Sequence, residues 1–205
     1  MRSATIFLAC ALAATLQTAP RAAGSLAAGA DTSPLTVVSA RVSLDGTSNV
    51  HPFTASTTMV RVLALELGPR AGELLDSVLK PGGLTAFEVA IPAATLTSPR
   101  DGVDKNMHKA LKVLEHPDIR FRLRALQSAA GAYQATGWLT VAGVEKEVTL
   151  ALQVVRTQAT LAVTGTTDVL MTDFGIAPPK ALMGMVKADP KVKLRIEMVL
   201  GAPLT

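Results

Sequence analysis

The chain has 205 residues, 49% of them apolar, a formal charge of +4 at neutral pH and a single cysteine. Aromatic residues make up 3% of it and no dense basic run occurs, which argues against base stacking and a nucleic-acid role. The lone Cys10 lies in an N-terminal apolar run, so the mature chain has no disulfide framework; that is compatible with an oxidising compartment without demanding one.

Residues 1–30 read as a secretory signal peptide and linker. Arg2 supplies a positive start, and Ile6 to Leu16 form an apolar run shorter than the ~20 residues that span a bilayer. Small residues follow, with A-x-A-like sites at Ala22-Ala23-Gly24 and Ala28-Gly29-Ala30. The mature chain is expected to begin between residues 19 and 31 and to reside in a periplasm or outside the cell. Lipid attachment at Cys10 is disfavoured, because the apolar run before it is too short and Phe7 stands where a leucine belongs. Cleavage removes Arg2 and Arg21 and no acid, lowering the formal charge from +4 to about +2. No other segment is long and apolar enough for a transmembrane helix.

Ala40, Val42 and Leu44 alternate on a first strand, Ser39 to Leu44, which Asp45-Gly46 is predicted to turn. His51 to Met59 reads as a second strand, and Val60 to Leu67 continues it or forms a third. Ala71 to Leu79 is a short helix or a loop. Leu84 to Ile91 is a strand with Phe87, Val89 and Ile91 on one side.

From Asp101 to Leu123 the period changes. Val103, Met107, Ala110/Leu111 and Leu114 share a helical face, opposite Lys105, His108, Lys109 and Lys112. Ser98 (with Pro99 at the first helical position) or Asp101 is predicted to cap this helix, and His116-Pro117 to stop it. Then Ile119, Phe121 and Leu123 alternate with Arg120, Arg122 and Arg124, a half-buried strand running to Leu126. Tyr133–Val141 and Glu147–Val155 make a hairpin through Ala142 to Lys146. Thr160–Val169 follows, and Pro178-Pro179 leads to a last strand, Lys191–Leu200. There Val192, Leu194, Ile196 and Met198 alternate with Lys193, Arg195 and Glu197. About eight such strands imply a closed or nearly closed antiparallel barrel, wide enough for filling side chains or one slender ligand. An outer-membrane barrel is rejected. It needs an apolar outer band and aromatic girdles, and these outward positions carry Arg120, Arg122, Lys193, Arg195 and Glu197.

Catalytic signals are weak. His51, His108 and His116 have no metal-ligand spacing. His108 is expected in solvent and His116 in a turn. His51 either meets a ligand head group or hydrogen-bonds near the barrel's end. Gly46 to Val50 lacks the second glycine of G-x-S-x-G and reads as a turn. Asp168 and Asp173 have no evident base or metal partner. The inward residues, among them Phe87, Val89, Phe121, Leu150 and Leu194, suit a filled core and a ligand tunnel equally, since both need the same residue types.

Four stretches together are more specific. They are GTSNVHPF at 46–53, MHKALK at 107–112 followed by HPDIRF at 116–121, GWLTVAGVEKEV at 137–148, and TDFGI at 172–176. In their order and spacing, over roughly residues 35–200, the chain resembles the YceI-like family of lipocalin-like β-barrels that bind polyisoprenoid or related lipids. Met185 to Lys191 is more basic than the short acidic turn usual before the family's last strand. The resemblance implies a mainly β domain over residues 35–202, an antiparallel eight-stranded lipocalin-like barrel with one short α-helix between strands. It also implies a non-enzymatic protein without cofactor or metal. Its partner would be an isoprenoid or other long-chain lipid, held for sequestration or transport. The candidate tunnel residues are then Phe53, Val89, Ile91, Met107, Leu111, Phe121, Leu139, Val141, Leu150, Leu152 and Ile196. The rival expectation is a filled barrel serving as a structural or protein-interaction module. The oligomeric state is left open, a homodimer included.

Overall fold

Alternating apolar residues assemble into one curled antiparallel sheet. The structure, a computed structural model, describes residues 35–69, 72–129 and 132–201; the signal segment lies outside them. The strands are β1 (Thr36–Ser48), β2 (Phe53–Thr57), β3 (Arg61–Leu67), β4 (Leu84–Pro92), β5 (Asp118–Ala129), β6 (Ala132–Val141), β7 (Val144–Arg156), β8 (Thr160–Leu170), β9 (Lys180–Ala181) and β10 (Val186–Gly201). Helix α1 (Leu74–Val78) joins β3 to β4, and α2 (Asp101–Ala110) joins β4 to β5. The order across the sheet is β2-β1-β10-β8-β7-β6-β5-β4-β3, with β9 paired to β10 off this path.

Nine strands thus stand in the main sheet where about eight were expected. The difference lies at residues 51–67. Thr58 to Val60 separate β2, which pairs with β1, from β3, which pairs with β4 at the other end of the sheet. Those three residues reach at most ~14 Å, so the two ends of the sheet are drawn together and the sheet must curl. The seam is held by the segment after β4 rather than by β3. Ser56 N–H donates to Thr97 O at 2.9 Å and Thr97 N–H to Ser56 O at 3.1 Å. The Thr57 and Thr95 hydroxyls meet at 2.8 Å.

Strand registers define two ends. Gly46↔Val192, Lys191↔Leu170, Val141↔Val144 and Ile91↔Ile119 mark the upper end, which carries α2 and residues 171–190. Thr36↔Gly201, Gly201↔Thr160 and Leu67↔Leu84 mark the lower end, which carries α1. There Leu75 and Val78 of α1 pack with Leu35, Leu161, Met198 and Leu200 as an apolar plug. Arg156, at the end of β7, ties the plug down through Glu73 and, at 2.9 Å, Asp76.

Several boundaries differ from the sequence reading. No turn occurs at Asp45-Gly46; β1 continues to Ser48, and the chain turns at Ser48–His51, where Ser48 Oγ donates to His51 O at 2.7 Å. β10 begins at Val186, before Pro190. The register shifts between Gly46↔Val192 and Ser48↔Ala188, an irregularity that accommodates a residue without an N–H. Helix α2 ends earlier than its apolar spacing suggests. Leu111 N–H donates to Met107 O at 2.8 Å, but Lys112 takes φ 52, the left-handed region, and the chain leaves the helix. Leu114, predicted on the buried face, is consequently 98% exposed. Neither Ser98 nor Asp101 is the N-cap. Arg100 holds that place without a side-chain bond, and Asp104 instead accepts the Ser98 N–H at 2.7 Å.

The hairpin between β6 and β7 is tighter than expected. Only Ala142 (φ 48) and Gly143 (φ 81) form the loop, both left-handed, the pattern of a two-residue type I′ turn. A side chain at 143 would collide with the His116 ring, 2.5 Å from the position of its Cβ, so His116 covers this turn; it does not stop α2 as predicted, because the chain has already left the helix at Lys112. On the outer face Arg120, Arg122, Lys193, Arg195 and Glu197 are all exposed. Arg122 and Arg124 of β5 pair diagonally with Glu145 at 3.6 Å and Glu147 at 2.5 Å on β7.

Candidate functional site

The inner face of the curled sheet encloses a cavity of about 670 Å³, within the ~300–1,000 Å³ typical of small-molecule sites. Every strand except β3 contributes to its wall, and the wall is overwhelmingly aliphatic. It is long: the alternating β10 residues from Val192 to Leu200 alone cover eight residue steps of its wall, or ~26 Å along the strand, and Val186 and Ala188 extend it further.

All the sequence-predicted tunnel residues lie on this wall. Phe53 comes from β2, Val89 and Ile91 from β4, Phe121 from β5, Leu139 and Val141 from β6, Leu150 and Leu152 from β7, and Ile196 from β10. Met107 and Leu111 reach it from α2, at the upper end. On β5 the inward series Ile119, Phe121, Leu123 passes to Leu126 because a register shift between Leu123 and Ala125 changes which residues face inward. Sequence reasoning did not select Leu161, Val163 and Val169 of β8, although their period of two already marked one face.

Exposure locates the mouth. The exposed residues of the lining are Val50, His51, Arg100, Gly102, Asn106 and Lys180, all at the upper end. At the lower end the lining residues Val78, Leu161 and Leu200 are buried. The cavity is therefore apolar and plugged below, polar and accessible above. Nothing in the sequence marked Arg100, Asn106 or Lys180, because single polar residues carry no periodic signal.

Local hydrogen bonds build this mouth. Asn49 binds the start of β10: its Nδ2 donates to Met185 O at 2.8 Å and its Oδ1 accepts Lys187 N–H at 2.8 Å. The Ser48–His51 loop is thereby fixed beside β10, and the His51 side chain lines the opening. His108, expected in solvent, is half-buried instead. Its Nε2 donates to Leu96 O at 2.8 Å and straps α2 to the segment that closes the seam. Asp168 has a partner the sequence did not reveal, Lys191 at 2.8 Å on the outer face. The hydrogen bond from Lys191 holds the Asp168 carboxyl below its ordinary value, and the same bond raises Lys191. Among the described residues no group of three His, Cys, Asp or Glu side chains is placed to hold a metal ion.

A curled antiparallel sheet around an elongated apolar cavity, open at one end, defines a β-barrel-like protein built for a ligand in its interior. The YceI-like domain matches residues 36–200, and the chain belongs to that family. Among curated proteins no match to the sequence is found. Among solved structures it is similar to Burkholderia cenocepacia BcnA, with 17% identity and a TM-score of 0.63 over 78% of this chain and 95% of that one. A polyisoprenoid binding domain from Saccharophagus degradans, implicated in plant cell wall breakdown, aligns with 10% identity and a TM-score of 0.58, covering 83% of this chain and 99% of that one. The Campylobacter jejuni YCEI protein aligns with 17% identity and a TM-score of 0.54 over 71% and 82%.

Proposed function

We propose that the protein is a non-catalytic carrier that holds one long apolar lipid, of polyisoprenoid type, in its interior cavity, for sequestration or transport in a periplasm or outside the cell. The observation that carries this reading is the hollow, aliphatic interior. A filled structural barrel would leave no comparable volume along its axis. Each methylene moved from water into such a wall contributes about 0.8 kcal/mol, so a chain of ten or more gives firm binding without any reacting group. The family and the polyisoprenoid binding domain of similar fold support the ligand class. The charge-free run Ile6 to Leu16 and the small residues after it support secretion.

Native mass spectrometry of protein purified from the cell envelope tests both parts together. A mass corresponding to a chain that begins between residues 19 and 31, with an additional apolar adduct, is the expected result. A clean apo mass that takes up no long-chain isoprenoid would overturn the carrier reading. Retention of Met1 would overturn the secretion reading.

A further inference from the structure

β9 and the start of β10 form a hairpin at the upper end of the sheet, where the cavity opens. Val186 and Ala188 of this hairpin line the cavity, so it continues the wall upward. Lys187, between them, faces away from the cavity and is exposed. It is paired directly with Lys180, which is exposed as well, and residues directly opposite in an antiparallel pair share a face. The two lysines thus stand side by side at the base of the hairpin. Beyond them the chain turns through Met183 and Gly184, both left-handed at φ 57 and φ 89.

The tip is apolar where a turn in water would be polar. Met183 is fully exposed and Met185 is 69% exposed. Met183 also holds a left-handed position that asparagine or glycine fills more readily, so neither its exposure nor its backbone serves folding. The bonds of the Asn49 side chain to Met185 O and Lys187 N–H bring Val50, 62% exposed, to the same rim. Single exposed apolar side chains are ordinary. Three gathered beside the opening of an apolar cavity mark a surface that meets another apolar phase. The charge around them has one sign. Residues 180–187 include two lysines and no acid. Neither lysine enters an ion pair seen among the described residues, whereas Lys191, further along β10, pairs with Asp168. Like charges placed opposite each other repel, and an anionic surface removes that repulsion.

We propose that this hairpin docks the protein on an anionic lipid bilayer: Met183, Met185 and Val50 dip among the acyl chains, Lys180 and Lys187 rest among the charged headgroups, and the cavity mouth is held against the membrane. This rests on the carrier reading for its purpose and names the surface with which the lipid is exchanged. The long stems of the lysines lie along the apolar tip while their ammonium groups stay at headgroup level. Three side chains and two charges give weak, reversible attachment, which lets a loaded carrier leave the surface again.

Co-flotation with vesicles tests this, using protein purified from the cell envelope and vesicles of phosphatidylcholine with or without phosphatidylglycerol. The wild type should float with the anionic vesicles in preference to the neutral ones, and less so as salt rises. Lys180→Gln/Lys187→Gln should weaken that binding by about fivefold per lysine. Met183→Ser/Met185→Ser should weaken it on the order of tenfold and leave uptake of a long-chain isoprenoid from solution unchanged, while Met183→Leu/Met185→Leu should keep it. Val155→Ser alters a residue equally exposed, at 65%, but at the lower end of the sheet, and should bind vesicles like the wild type. All the variants share one N-terminus, so differences among them report the hairpin. Binding that survives the serine variant, or falls as far in Val155→Ser, overturns the docking assignment. A wild type that takes up isoprenoid from solution but binds no vesicles overturns docking and leaves the carrier standing. Hairpin-dependent vesicle binding without any uptake upholds docking and overturns the carrier. A wild-type dimer that the serine variant dissolves, with no vesicle binding, overturns docking in favour of a second copy of the chain.

Discussion

Gly137 shows how closely the interior is fitted at the level of single residues. A Cβ there would stand 2.5 Å from the Arg122 carbonyl oxygen and 2.6 Å from the edge of the Phe121 ring. The backbone oxygen cannot move cheaply, so Gly137→Ala should cost roughly 1–3 kcal/mol of stability, measurable as a lower urea midpoint with an unchanged slope. The Asp168–Lys191 pair tests the outer face. Its Asp168 should titrate below the ordinary 3.8, and Lys191→Ala should return it toward that value in an NMR titration. Because the folded carboxyl is lowered, the pair's contribution is present above the ordinary carboxylate range and is lost as pH falls through the lowered value. At this scale the sequence was only partly informative. The inward assignment of Phe121, Leu139 and Leu150 followed from period two. The partners of His108 and Asp168 did not, because Leu96 lies 12 positions from His108 and Lys191 comes from another strand.

At the scale of elements, strand identity was legible and strand ends were not. Alternation is a long-range pattern, so β5 to β8 and β10 announced themselves over many residues. Ends depend on particular hydrogen bonds: Ser48 Oγ to His51 O sets the end of β1, and the left-handed Lys112 ends α2 although Leu114 continues its apolar spacing. The seam was invisible for a related reason, since its contacts join β2 to residues 93–97 through a single bridge and two hydroxyls. Helix α1 was ambiguous in sequence because five residues are too few to show a period. Its placement depends on the plug residues and on Arg156, whose side chain is 35% exposed. Arg156→Gln should therefore lower stability by no more than about 1 kcal/mol. It should also speed amide exchange selectively in Leu74–Val78; uniform exchange across the sheet would show that Arg156 does not anchor this helix.

At the scale of the whole molecule, the question left open by composition was whether the apolar interior is packed or hollow. Val, Leu and Phe serve either purpose, so the residue types could not decide; the curvature of the sheet and the depth of the plug do. The cavity runs down to the plug residues Val78, Leu161, Met198 and Leu200, which close its lower end, and a hollow interior and a packed core respond differently to added bulk. Leu150→Trp places an indole in space reserved for ligand. Ala93→Leu adds volume at a site that is 0% exposed and away from the cavity wall. Measured side by side for apo thermal stability and for uptake of a long-chain isoprenoid, Leu150→Trp should lose uptake while the apo protein melts near the wild-type temperature. Ala93→Leu should instead lose about 1–3 kcal/mol of stability through overpacking. If Leu150→Trp is destabilised as severely as Ala93→Leu and still takes up lipid like the wild type, the interior is a core and not a ligand site.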